Sequence, residues 1–228
     1  MSYYGYILLF SFLGPFCLSF DRKVAYYKRI PRLLLPLLGV SGLFIVWDQW
    51  FTSMGVWGFD NAYISGYFLG KLPLEEVLFF VIVPYNCIFI HEVIGAYFTP
   101  KFSRKFNFIF LGLFMALGII LWVKNPLGWY PLTAVTFALI LSVFLLVRPP
   151  EWLSQALISY LVCLVPFLIV NGLLTGAASP RPVVWYNAQE FSNWRIITIP
   201  FEDLFYNFDL FIGFVAFYKL PLPAFRKQ

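Results

Sequence analysis

The chain has 228 residues, of which 61% are hydrophobic and only 12% charged, and its mean hydropathy is +0.79. Soluble domains carry roughly a quarter charged residues, so there is too little polar surface here to coat a water-soluble globule. Aromatic residues make up 22% of the chain and the net charge is +5. Disorder, a coiled coil and a nucleic-acid binder are excluded, and an all-α, multi-pass membrane protein is expected.

A bilayer core takes about 20 mostly apolar residues per helix, and seven stretches qualify. The first, near 3–20, lacks a basic leading region and a small-residue cleavage site and runs into Asp21-Arg22-Lys23, so it is read as a retained helix. The second, 33–53, ends Trp47-Asp48-Gln49-Trp50. An aromatic loop with Trp57 leads to Lys71-Leu72-Pro73-Leu74-Glu75-Glu76-Val77-Leu78-Phe79-Phe80, which opens the third span at 74–98. The fourth and fifth, 107–123 and 130–147, are plain apolar runs. The sixth, 154–174, ends Ile169-Val170-Asn171-Gly172. A longer loop with Trp185 then leads to Thr198-Ile199-Pro200-Phe201-Glu202-Asp203-Leu204-Phe205-Tyr206-Asn207 at the head of the seventh, 201–218. Pro15, Pro36, Pro84 and Pro166 fall inside spans, where a kink leaves gaps suited to a cavity, although membrane helices tolerate proline in any case.

Basic residues set the expected orientation. With alternating loops, Arg22, Lys23, Lys28, Arg29, Arg32, Lys101, Arg104, Lys105, Arg148, Lys219, Arg226 and Lys227 fall on one face, against Lys71, Lys124, Arg181 and Arg195 on the other. The richer face is expected to be cytoplasmic, with the C-terminus, leaving the N-terminus and the loops near 54–73 and 175–200 outside. The positive charge then needs no acidic partner beyond anionic lipid. Cys17, Cys87 and Cys163 stand alone in apolar runs and form no Cys-x-x-Cys pair, and there is one histidine. No disulfide framework or thiolate metal site is expected.

The two acidic sequences form a repeat. Each half has a polar residue late in one span (Asp48, Asn171), a tryptophan in the loop (Trp57, Trp185), and then Pro-apolar-acid-acid with an aromatic three residues on. Trp57 precedes Pro73 by 16 residues and Trp185 precedes Pro200 by 15. The chain therefore reads as one membrane domain made of a first repeat (1–106), a linker helix (107–129) and a second repeat (130–228). Three spans, one span and three spans put the repeats in parallel, so both acidic pairs emerge at one membrane face and can share a pocket.

Carboxylates at membrane depth are costly and usually functional. Glu75, Glu76, Glu202 and Asp203 sit behind prolines in a first helical turn, so capping and the helix dipole account for them in one way. The other reading has them converge with Asp48 in an apolar pocket, where like charges cannot all ionise, so that a retained proton serves as a general acid beside anionic neighbours. Trp47, Trp50, Trp57, Phe79, Phe80, Phe205 and Tyr206, with Asn171 and Asn207, are the candidate substrate walls, and aromatic faces attract cations. An interfacial aromatic belt is the plainer account of the same rings. Metal binding is disfavoured because Asp48 stands alone, Asn171 replaces its counterpart, and the outer loops lack the basic residues a diphosphate would need. His91-Glu92 is expected as an interfacial pair near the cytoplasmic end, and Asp209 is left unassigned.

Pro73-Leu74-Glu75-Glu76-x-x-Phe79-Phe80 and Pro200-Phe201-Glu202-Asp203-x-x-Tyr206-Asn207 resemble the paired signatures of the lycopene cyclase domain family, the integral-membrane type built of two similar halves. The resemblance covers essentially the whole chain, as a fused form with the fourth span as linker. It implies cyclisation of the acyclic ψ-ends of lycopene to β-rings, giving γ-carotene and β-carotene, on a carotenoid drawn from the lipid. It also implies catalysis by carboxylic-acid protonation, carbocation cyclisation and deprotonation, with no cofactor and no redox equivalents. Relatives include hydratases acting on carotenoid ends. Rival readings are a small-solute transporter with the same repeat order, a membrane prenyltransferase, and a retinal-binding protein, which would need a mid-span lysine that is absent. Association of several copies of the chain stays open.

Overall fold

The computed structural model describes residues 1–98 and 104–220, so Lys101, Arg226 and Lys227 of the basic face lie outside the described residues. Seven helices appear within the described residues: α1 (Tyr3–Leu18), α2 (Tyr26–Met54), α3 (Leu74–Tyr97), α4 (Arg104–Lys124), α5 (Pro131–Val147), α6 (Leu153–Leu174) and α7 (Glu202–Tyr218). Each meets one expected span. Four of them, α2, α3, α4 and α6, are long and apolar enough to cross a membrane. Large apolar side chains such as Leu38, Leu113, Val147 and Val165 point outward, the inverse of a water-soluble surface.

The helix starts and stops follow local chemistry. Ser2 caps α1 by accepting from the Gly5 amide, and Gly55, at φ 71°, ends α2 in the left-handed conformation. Each π-turn, Leu37–Ser41 in α2 and Pro131–Val135 in α5, starts at or beside a proline, where the lost amide donor is accommodated by wider spacing of backbone bonds. Helix α7 is the central element. Thirteen of its seventeen residues are buried, and α2, α3, α5 and α6 pack around it. Helix α1 lies against α3 and α6, while α4 lies against α5 and α6.

Between helices, among the described residues, run six short strands: β1 (Trp57–Phe59), β2 (Phe68–Leu69), β3 (Leu72–Pro73), β4 (Val184–Tyr186), β5 (Arg195–Ile196) and β6 (Ile199–Pro200). β2–β3 and β5–β6 are hairpins that deliver the chain into α3 and α7. They match at a spacing of 127 residues: the register pairs are Phe68 with Pro73 and Arg195 with Pro200. The Leu74 amide bonds to the Tyr67 carbonyl as the Phe201 amide bonds to that of Trp194.

β1 and β4 join the two halves as an antiparallel pair, with Trp57 opposite Tyr186, Gly58 opposite Trp185 and Phe59 opposite Val184. The flanking bonds are reciprocal: the Asp60 amide donates to the Val183 carbonyl, and the Asn187 amide to that of Val56, both at 2.9 Å. At the same 127-residue spacing, Asp60 corresponds to Asn187 and Val56 to Val183, so a pseudo-twofold axis passes between Gly58 and Trp185. This corrects the expected match of Trp57 with Trp185. The counterpart of Trp185 is Gly58, because the indole fills the space that a side chain at residue 58 would need.

At the far end of the bundle, His91 is fully buried, with Nδ1 3.0 Å from Ser159 Oγ of α6. The expectation of an interfacial histidine is therefore corrected, since α6 covers it. Its neighbour Glu92 pairs with Arg29 and, at 3.9 Å, with Lys219. Asp209 is buried and neither carboxyl oxygen has a hydrogen-bond partner among the described residues.

Candidate active site

The two acidic pairs come to one end of the bundle, where α1, α3, α5 and α7 begin and α2 and α6 end. Within each pair the acids part company. Consecutive helical positions lie about 100° apart around the axis, so one acid turns to the loop and the other to the bundle interior. Glu75 Oε1 accepts from the Ser65 amide at 2.7 Å and from Ser2 Oγ at 2.5 Å. Glu202 Oε1 accepts from the Ser192 amide at 2.6 Å. Ser65 and Ser192 are again 127 residues apart, so both first acids hold the loop that folds over their helix.

The second acids, Glu76 and Asp203, face a shared buried cavity of about 50 Å³. Asp48, from the last turns of α2, and Asn171, from the last turn of α6, line it as well. Glu76 Oε2 accepts from the Tyr4 hydroxyl at 2.7 Å, and Asp203 Oδ1 from that of Tyr130 at 2.6 Å. These tyrosines are counterparts: the Tyr4 amide bonds to the Tyr63 carbonyl and the Tyr130 amide to that of Glu190, both at 3.1 Å.

Beyond that shared bond the halves differ. Asp203 Oδ2 also accepts from Asn171 Nδ2 at 2.7 Å and from the Tyr186 hydroxyl at 3.0 Å. Three donors offset part of the cost of ionising it in this buried place. Burial, and then the nearby Asp203 carboxylate, push the Tyr186 phenol well above its ordinary value, so it remains a donor. In the first half a second acid, Asp48, replaces the amide of Asn171. Asp48 Oδ1 accepts from Trp57 Nε1, and its Oδ2 has no partner among the described residues. Asp48 and Glu76 line the same cavity, close enough for each carboxyl group to feel the other's charge. The cavity thus holds two neighbouring carboxyl groups and a third that is fixed by three donors.

Aromatic and polar groups complete the wall. Trp57, Phe79, Phe80, Tyr206 and Asn207 line the cavity, and Tyr206 Oη and Asn207 Nδ2 have no hydrogen-bond partner among the described residues. Trp47 sits one layer back, its ring 5.1 Å from that of Tyr206. Two candidate wall residues lie elsewhere. Trp50 is half exposed and packs on Trp129 at 5.5 Å, and Phe205 stacks on Phe114 at 4.3 Å on the far side of α7. Tyr4, Tyr130, Tyr186 and Phe167 join the site without having been expected. The spacing of Tyr4 and Tyr130, one residue short of the acid spacing, was the available signal. Among the described residues no three His, Cys, Asp or Glu side chains gather as metal ligands would.

A second space adjoins the first. A groove of about 540 Å³ runs between α1, α3 and α6, and Phe79 and Phe167 belong to the walls of both.

Comparison with curated proteins and with solved structures yields no match. The lycopene cyclase family model matches the chain twice, over residues 2–94 and 128–220, which are the two halves just described. With most of its length matched in this way, the chain belongs to the lycopene cyclase family.

Proposed function

We propose that the chain cyclises the ψ-end of lycopene to a β-ring by acid catalysis in the Asp48–Glu76–Asp203 cavity. The observation that carries this reading is the unequal surroundings of the three carboxyl groups, with three donors on Asp203, one on Glu76 and none on Asp48 Oδ2 among the described residues. Two like charges close together in an apolar enclosure favour retention of a proton, so Asp48 and Glu76 form the donor. Asp203, ringed by Tyr130, Asn171 and Tyr186, stays anionic and faces the positive charge that develops.

The steps balance without an oxidant or reductant. The pair delivers its proton to C2 of the ψ-end, leaving a tertiary cation at C1. The C5=C6 bond attacks C1, closing the C1–C6 bond and moving the charge to C5. Loss of the C6 proton makes the ring double bond. C2 and C6 are both bonded to C1 in the product, so the carboxyl pair that gave the first proton reaches the second and is regenerated. Asp203 and the faces of Trp57, Phe80 and Tyr206 stabilise the cation, an attraction of about 2 kcal/mol or more per desolvated aromatic face.

All seven helices cross the membrane in this reading, with the acidic end outside and the C-terminus in the cytoplasm. The concentration of lysine and arginine at the opposite end supports that orientation. The test is pigment extraction from lycopene-producing cells expressing the chain. Cyclic carotenes are expected, and their loss in Glu76→Gln. Unchanged lycopene rejects the proposal, and a hydroxylated end assigns the same cation to capture by water.

A further inference from the structure

We propose that the substrate end reaches the acid cavity from one side only, through the groove between α1, α3 and α6, and that Phe79 and Phe167 must part to admit it. This rests on the cyclase reading and adds the route. The cavity, at about 50 Å³, has room for only a few waters, far less than a branched chain end needs. The groove is roughly ten times larger, is lined chiefly by apolar side chains, and meets the cavity at Phe79 and Phe167. Pro15 and Pro166 stand on its walls, where each removes a helix bond.

The pseudo-twofold axis relates this groove to a second place, between α5, α7 and α2. There α2 and α7 carry larger side chains at four of the facing positions. Val170 and Leu173 of α6 correspond to Trp47 and Trp50 of α2, at the spacing that relates Asp48 to Asn171. Val83 and Cys87 of α3 correspond to Leu210 and Phe214 of α7. The counterparts of Phe167 and Phe79 are Phe44 and Tyr206, and their rings meet edge to face at 4.9 Å. Trp47 closes on the same tyrosine at 5.1 Å, and Trp50 meets Trp129 at 5.5 Å. One route is open, whereas at its twin aromatic rings meet across the corresponding gap.

A single route has a chemical consequence. A molecule with two ψ-ends must withdraw its first ring, turn, and present the other end, so the one-ring product passes through the lipid between the two reactions.

The test uses the full chain in lipid nanodiscs supplied with lycopene, and reads product formed and lycopene retained per folded molecule by its visible absorbance. Val170→Trp and Val83→Trp, which give the open side the bulk of its twin, should each lower both readings about tenfold or more. Leu43→Trp, on the outward face of α2, should change neither. Glu76→Gln should lose turnover and keep bound lycopene, which separates the route from the chemistry. If either groove variant misfolds, Phe167→Leu takes its place: it widens the passage and should speed lycopene uptake. Retention and turnover within about twofold of wild type in both groove variants, or uptake unchanged in Phe167→Leu, overturns the route and leaves the cyclase reading standing. Loss of co-purified phospholipid with lycopene binding intact would assign the groove to lipid and also overturn it. Absence of lycopene binding and turnover in the wild type would reject the functional reading itself.

Discussion

Trp185 lies across Gly58, its own counterpart in the other repeat. A Cβ on Gly58 would come within 2.4 Å of the indole, so the contact that joins the halves at the axis depends on the absence of a side chain. Gly58→Ala should destabilise the protein by about 1–3 kcal/mol, the usual cost of overpacking. Thermal unfolding in detergent checks this, and Trp185→Ala in the same chain should restore most of the loss. Additive effects of the two substitutions would reject the contact as the cause.

The four acids of the two motifs should divide by position within each pair. Glu76→Gln and Asp203→Asn, with Asp48→Asn, should each lower turnover by about 100-fold or more, the scale of losing a general acid or a charge partner. Glu75→Gln and Glu202→Gln loosen the loops held through Ser65 and Ser192. They should lower stability by about 1 kcal/mol while turnover per folded molecule stays within a few-fold. Equal losses at both positions of a pair would reject the division.

Asp203 depends on its donors. Tyr186→Phe removes one hydrogen bond to a charged group and should slow turnover about 10-fold. Asn171→Asp replaces a donor by a like charge and should cost more. Because the Tyr186 phenol is raised in the folded protein, its hydrogen bond is fully present below the ordinary tyrosine value and is lost only as pH climbs through the folded one. Turnover in wild type should therefore show no loss from this group up to about pH 10, and a pH–rate profile tests that.

The hairpin leading to α7 carries strain that its twin avoids. Gly66 and Gly70 have positive φ in the first repeat, and the matching positions 127 residues on are Asn193, at 63°, and Ile197, at 60°. Asparagine tolerates that conformation, whereas a β-branched residue pays roughly 1–2 kcal/mol. Ile197 is exposed, so it gains little from packing in return. Ile197→Asn should stabilise the protein by about 1 kcal/mol, a rise of roughly 2–4 °C in Tm for a chain of this size.

Glu92 is buried between two cations. Arg29→Met or Lys219→Met alone leaves one partner and should be mild. Together they remove both described partners of a buried carboxylate and should destabilise by about 3–5 kcal/mol, measured by thermal unfolding of the single and double variants.

The helices could be read from the chain because long apolar runs broken by charged loops leave little choice of length or number. Carboxylates at the heads of such runs likewise marked the candidate site. Which acid of each pair faces inward was not readable, since Glu75 and Glu76 sit in the same turn and only packing against α1 and α2 fixes the rotation of α3. Tyr4, Tyr130 and Tyr186 were hidden among 14 tyrosines. Trp57 and Trp185 were mismatched because like was paired with like, whereas the backbone register follows the axis and sets a glycine opposite the second tryptophan. Trp50 and Phe205 neighbour the acids in sequence but emerge from other faces of their helices.

The β1–β4 pair also sets a timetable for biosynthesis. Trp57 to Phe59 leave the ribosome long before Val184 to Tyr186, with which they pair. At about 5–20 residues per second, that interval is on the order of ten seconds. For that time Asp48 and Glu76 have neither the second half of their enclosure nor the strand that crosses it. The chamber is therefore completed late, and on the cyclase reading a nascent first half carries its acid pair without the site in which it would act.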